Sequence, residues 1–134
     1  FGILGYELDL TKLPENEKNI IKEQIELYKK IWQIIYEGDL YRLISPFEEN
    51  ACAWMYVTPD KKNALVVYVN ILAEPNPPFK KLKLDGLDPN KRYIIEGEER
   101  IYYGDELMYI GLNIPNLKDF ESLIFLLKEI SDDF

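Results

Sequence analysis

Apolar residues recur at three- and four-residue steps between positions 14 and 36, and this spacing predicts one amphipathic helix. Ile20, Ile21, Gln24, Ile25, Tyr28, Ile31, Trp32 and Ile35 form the stripe. Lys22, Glu23, Glu26, Lys29, Lys30 and Gln33 lie largely off it. Pro14 suits a first helical turn, where its missing N–H costs nothing. Glu15 and Glu17 place negative charge near the positive helix end. Glu26 and Lys30 are spaced for an i,i+4 ion pair, and Gly38 is a C-terminal stop. Ahead of the helix, Tyr6, Leu8 and Leu10 alternate with Gly5, Glu7 and Asp9, so residues 1–10 read as a short strand or extended lead.

After Gly38 the period changes. Seven of the eight prolines lie there. Positions 53–58 and 64–72 are β-rich runs separated by Pro59-Asp60-Lys61-Lys62-Asn63, a good hairpin loop. Three prolines keep 74–78 out of a strand interior. Leu82 and Leu84 share one face, Asp88-Pro89-Asn90-Lys91 makes a turn, and 92–96 returns as a strand. Residues 105–109, after Gly104, read as a short helical turn. Closely spaced short strands with turn signals indicate an antiparallel sandwich. Over 117–130 the pattern serves two structures. Leu117, Phe120, Leu123, Ile124, Leu127 and Ile130 fit a helix, while Leu123, Phe125 and Leu127 alternate as in a strand buried on both faces. The local pattern slightly favours the helix.

The chain has 134 residues and is 47% hydrophobic, which fits one domain or one domain plus an appendage and allows a sizeable core. No apolar run approaches the length of a bilayer span. The formal charge of −8 disfavours binding to phosphate backbones or anionic lipid, so neither nucleic acid nor membrane is an expected partner. Histidine is absent, which removes His-based triads and most zinc sites. Cys52 is the single cysteine; its setting, Ala51-Cys52-Ala53-Trp54-Met55, reads as a small buried hydrophobe in a reducing compartment.

Three groups could carry chemistry. Glu7 and Asp9, two apart on a strand, would share a face at a spacing of roughly 6–7 Å, within the range of glycosidase carboxyl pairs. That spacing is common to any i,i+2 acidic pair, and capping or ion pairing is the simpler role. The aromatics Trp54, Tyr102, Tyr103 and Tyr109 could stack on sugar rings, although aromatics fill sandwich cores without any ligand. The acidic clusters Glu96-Glu98-Glu99, Asp105-Glu106 and Asp132-Asp133 could attract calcium, but no EF-hand spacing is present and a solvated surface is the simpler reading. Phosphate-cradling glycine loops and Cys/His metal spacings are absent.

The order of motifs is more specific than any one of them. Gly38-Asp39-Leu40-Tyr41-Arg42-Leu43, Ser45-Pro46-Phe47-Glu48, Ala53-Trp54-Met55, Glu74-Pro75-Asn76-Pro77-Pro78-Phe79, Leu87-Asp88-Pro89 and Gly104-Asp105-Glu106-Leu107-Met108 follow one another. This order resembles the C-terminal region of bacterial α-galactosidases (melibiases) of glycoside hydrolase family 36. The resemblance implies that 1–37 is the final strand and helix of a catalytic (β/α)8 barrel and 38–134 an appended antiparallel β-sandwich. It implies a strand at 119–130, which closes the sandwich. The family's retaining enzymes hydrolyse melibiose- and raffinose-type α-galactosides with two aspartates that lie upstream of anything present here. No catalytic, cofactor-binding or metal-binding residue is therefore assigned, no cofactor is expected, and Glu7 and Asp9 do not fill the gap. The expectation is a mostly β, cytoplasmic piece, inactive alone and structural in role, whose main partner is the barrel of the same parent chain. It should bind galactose or raffinose weakly or not at all. The helix should stay on the sandwich through Trp32 and Ile35, leaving Ile20–Ile25 to form a homo-oligomer contact. The alternative is a stand-alone carbohydrate-binding or protein-interaction sandwich.

Overall fold

The computed structural model of the protein describes residues 3–130. Helix α1 (Glu15–Glu37) occupies the predicted stripe, with Pro14 at its N-cap. It stops at Gly38, whose N–H donates to the Ile34 carbonyl at 2.9 Å. A Cβ at position 38 would lie 2.3 Å from that same oxygen, so only glycine allows this close approach. Glu26 pairs with Lys29 at 2.8 Å instead of with Lys30. Lys30 instead reaches across to Glu96, also at 2.8 Å, and so ties the helix to the sheet. That hydrogen bond holds the Lys30 ammonium above the usual lysine range.

The rest of the chain is β1 (Asp39–Ile44), β2 (Ala51–Val57), β3 (Asn63–Asn70), β4 (Lys80–Leu82), β5 (Arg92–Ile95), β6 (Ile101–Tyr103), the short helix α2 (Gly104–Tyr109), β7 (Leu112–Ile114) and β8 (Ser122–Glu129). Six strands form one antiparallel sheet in the order β1-β2-β3-β8-β5-β6, and β4 pairs with β7 in a second, two-stranded sheet. The last segment is thus a strand. β8 sits between β3 and β5 and pairs with both. Its helix-like pattern has a physical cause: Leu127 faces the main core while Leu126 packs on the helix side, so apolar residues fall on both faces.

The two faces of the six-stranded sheet meet different partners. On β2, Ala51, Ala53, Met55 and Val57 are buried, while Cys52, Trp54 and Tyr56 between them are only partly so. The first set joins Val66, Tyr93 and Leu127 against the β4–β7 layer and α2, in a core that includes Leu82, Leu107 and Leu112. The second face receives α1: Ile31 is buried against Leu65 and Val67, with Leu27, Ile34 and Ile35 around it. The protein is therefore a mostly β sandwich with one long helix across its outer face.

Two expectations change. Residues 3–9 form no strand, and a single 3-10 turn follows at Leu10–Lys12. The lead meets no sheet edge, so its N–H and C=O groups have no ladder to join. Tyr6, Leu8 and Leu10 stay one-third to one-half exposed. Trp32 is not the anchor of α1: it is 48% exposed and tilts against the ring of Tyr36 at 6.1 Å. One residue turns a helix by about 100°. With Ile31 aimed into the sheet, Trp32 can only lie at the edge of the contact.

One buried tyrosine pins the polar end of the sandwich. Tyr93 is fully buried; its hydroxyl donates to the Lys61 carbonyl at 2.9 Å and accepts the Asp88 N–H at 3.2 Å. Beside it, Thr58 donates to Asp60 at 2.7 Å and closes the β2–β3 turn. Tyr93→Phe leaves both backbone groups without that partner, and is expected to cost about 1–3 kcal/mol in urea unfolding. An unchanged midpoint would show that the hydroxyl carries no stability.

Candidate functional site

The sequence-predicted candidates are dispersed, and several are internally engaged. Asp9 accepts from the Thr11 N–H at 3.1 Å and the Thr11 hydroxyl at 2.6 Å, capping the turn that follows. The Thr11 hydroxyl holds this carboxyl below the usual carboxylate range. Glu7 lies in the same irregular, exposed lead, so the shared strand face expected for the pair does not form. Trp54 packs beneath α1. Tyr102 donates to Glu98 at 2.7 Å, and the Arg100 guanidinium lies 4.6 Å above its ring. Burial, and then Glu98, pushes the Tyr102 phenol up to about 12. Arg100 also pairs with Glu106. Tyr103 and Tyr109 are exposed, 53% and 75%. Among the described residues no group of three or more His, Cys, Asp or Glu is placed to hold a metal ion. Asp132 and Asp133 lie outside the described residues. Cys52 is only partly buried, less enclosed than its apolar neighbours suggested.

The open features of the molecule are elsewhere. Three loops, 45–50, 71–79 and 115–121, meet at one end of the large sheet. They are tied together by the Ile71 N–H to the Asn50 carbonyl (3.0 Å), the Asn70 amide to the Lys118 carbonyl (2.9 Å) and the Ala73 N–H to Asp119 (2.6 Å). Between the 45–50 loop and β4 lies an open cleft of about 600 Å³. Phe47 stands at its rim, 96% exposed. Tyr68 comes up from the inner face of β3 to its floor. A second hollow, of about 660 Å³, lies on the outer face between Leu40, Arg42, Cys52 and Trp54. Sequence reasoning missed both: the walls of the first come from segments far apart in the chain, and the second forms on the outer face only once β1 and β2 pair. The local signal for the first was a Pro46-Phe47 pair beside Glu48 and Glu49 in a turn, an aromatic where a loop has no core to fill. No described helix is long and apolar enough to cross a membrane.

The structure is a helix-backed antiparallel β-sandwich domain whose open surfaces are loops and outer faces. The chain belongs to glycoside hydrolase family 36: residues 51–127 match the glycosyl hydrolase family 36 C-terminal domain. It is 48% identical over 130 residues to alpha-galactosidase AgaA of Geobacillus stearothermophilus, spanning 96% of this chain and 18% of that protein. It is 42% identical over 132 residues to alpha-galactosidase Mel36A of Lactobacillus acidophilus, spanning 98% of this chain and 18% of that one. The alpha-galactosidase structure from Lactobacillus brevis superposes with a TM-score of 0.93 at 38% identity, covering 100% of this chain and 19% of its own. AgaA in complex with raffinose superposes with a TM-score of 0.87 at 48% identity, covering 94% of this chain and 18% of its own. The chain thus spans about 18% of the length of the curated relatives AgaA and Mel36A.

Proposed function

We propose that this chain is the C-terminal part of a retaining α-galactosidase acting on terminal α-galactosides of the melibiose and raffinose type. Its own role is to brace the catalytic barrel of the same parent. The observation that carries this reading is the extent of the match: nearly all of this chain aligns, but with less than a fifth of AgaA and Mel36A. In this reading residues 1–37 finish the barrel and 38–134 form the sandwich. The lead and the exposed side of α1, with Leu8, Ile20 and Trp32, face the missing barrel; all three are about half exposed here. No catalytic residue belongs to this chain, and substrate is hydrolysed only in the barrel. A reducing, cytoplasmic setting suits the free Cys52.

Retaining hydrolysis needs a nucleophilic carboxylate and a second carboxyl as acid/base, held about 5–5.5 Å apart. Asp9 is committed to its cap and Glu7 lies exposed in the irregular lead. The chain, incubated at high concentration with an aryl α-galactoside, is expected to release no phenol above the buffer blank. Turnover abolished by Glu7→Gln or Asp9→Asn would overturn the proposal.

A further inference from the structure

We propose that the cleft between the 45–50 loop and β4 is a weak binding site for a neutral, polyhydroxylated ligand, of which an oligosaccharide is the natural class. The first observation is Tyr68. It is only 2% exposed and lines the cleft, and its hydroxyl makes no hydrogen bond with any described residue. Every fully enclosed polar side-chain atom among the described residues has a partner. The Tyr68 hydroxyl is thus left unsatisfied by the described residues and is not fully enclosed, in a side chain that lines the cleft. A buried tyrosine usually finds a partner for its hydroxyl, and a ligand hydroxyl can both donate to it and accept from it.

The second observation is the set of groups around it. Glu49, Glu74, Asn50 and Lys80 also line the cleft. Of these, only Asn50 and Glu74 are joined, by a long 3.4 Å hydrogen bond. Acceptors, donors and both signs of charge are thus presented without an ion pair consuming them. A singly charged ligand would meet a like charge on one wall; a neutral polyol can use all of them. Phe47 adds the third element, a fully exposed ring at the rim on which the C–H face of a pyranose can lie. The volume of about 600 Å³ lies within the range of about 300–1,000 Å³ typical of small-molecule sites. Burial, followed by the Glu49 and Glu74 carboxylates, pushes the Tyr68 phenol up, so it remains a protonated donor at neutral pH. The site stands on this chain's own residues and does not depend on the activity of any parent.

The test is amide chemical-shift mapping of the full chain with raffinose as the probe, taken to tens of millimolar. The expected result is saturable shifts at 44–50, 68, 74 and 80–82, with a millimolar dissociation constant. Tyr68→Phe and Phe47→Ala should each weaken binding about tenfold or more. Phe79→Ala, which removes a ring outside the cleft, should leave it unchanged. The dispersed spectrum of each variant reports that it has folded. No shifts at the highest concentration, or shifts that survive both cleft variants, would overturn the proposal. A response to N-acetyl-arginine amide in place of raffinose would also overturn it, assigning the cleft to a basic side chain of a protein partner.

Discussion

Gly104→Ala is expected to cost the sandwich a large share of its stability. A Cβ there would lie 1.9 Å from the Asp88 carbonyl oxygen and 2.8 Å from its carbon. Neither atom belongs to a side chain that could swing away. The Asp88 carbonyl is fixed by accepting the Lys91 N–H at 3.2 Å, and the Gly104 N–H itself donates to the Lys91 carbonyl at 2.9 Å. The turn and the start of α2 must separate to admit one methyl group. That movement pulls on Leu107, which is fully buried in the main core. The cost belongs at the top of the range for overpacking, about 3 kcal/mol or more, against a typical total of about 5–15 kcal/mol. Urea unfolding followed by tryptophan fluorescence reads it directly. A variant with the parent midpoint would mean that the turn yields, and that the close approach is not a constraint.

Ile31→Asp should release α1 from the sheet. Ile31 is 2% exposed and is the one residue of α1 that is fully buried, set against Leu65 and Val67. Truncating such a side chain costs about 2–5 kcal/mol, and a carboxylate in its place adds the penalty of burying a charge without a partner. The surface Lys30–Glu96 pair cannot compensate, since exposed ion pairs are worth about 0–1 kcal/mol. Trypsin cleavage at Lys22, Lys29 and Lys30 should become fast, while the β-sheet amides keep their protection. Trp32→Ala is the matched control. Its larger side chain is half exposed, so its loss should change stability much less. Equal effects of the two variants would refute the assignment of Ile31 as the anchor.

That contrast shows where the sequence was and was not legible. The period of the stripe gave the helix, because Ile20 to Ile35 repeat on one side whatever the helix packs against. It could not give the rotation, because Ile31 and Trp32 are neighbours on a broad stripe and only the shape of the sheet chooses between them. β2 and β3 were readable from their β-rich runs and the Pro59–Lys62 turn. β8 was not, because a strand with apolar residues on both faces loses the alternation that marks it; the order of motifs supplied what the local pattern could not. The lead misled for the opposite reason. Tyr6, Leu8 and Leu10 alternate as a strand would, but no strand edge lies beside them. The cleft was invisible because Phe47, Tyr68, Glu74 and Lys80 are brought together only by the sheet order.

The position of β8 bears on how the protein can be made. Strands β1–β3 and the β5–β6 pair are joined within the large sheet only through β8, and β8 ends at Glu129 of a 134-residue sequence. During synthesis from the N-terminus, both halves must wait with an open edge until β8 itself has been added. β3 is the more exposed of the two while it waits: Ala64-Leu65-Val66-Val67-Tyr68 would offer free N–H and C=O groups on an apolar strand, the kind of edge that pairs with other chains. A chain ending before Ser122 should therefore aggregate instead of folding to a smaller sandwich, and the rate of its final closure should set how much newly made protein survives.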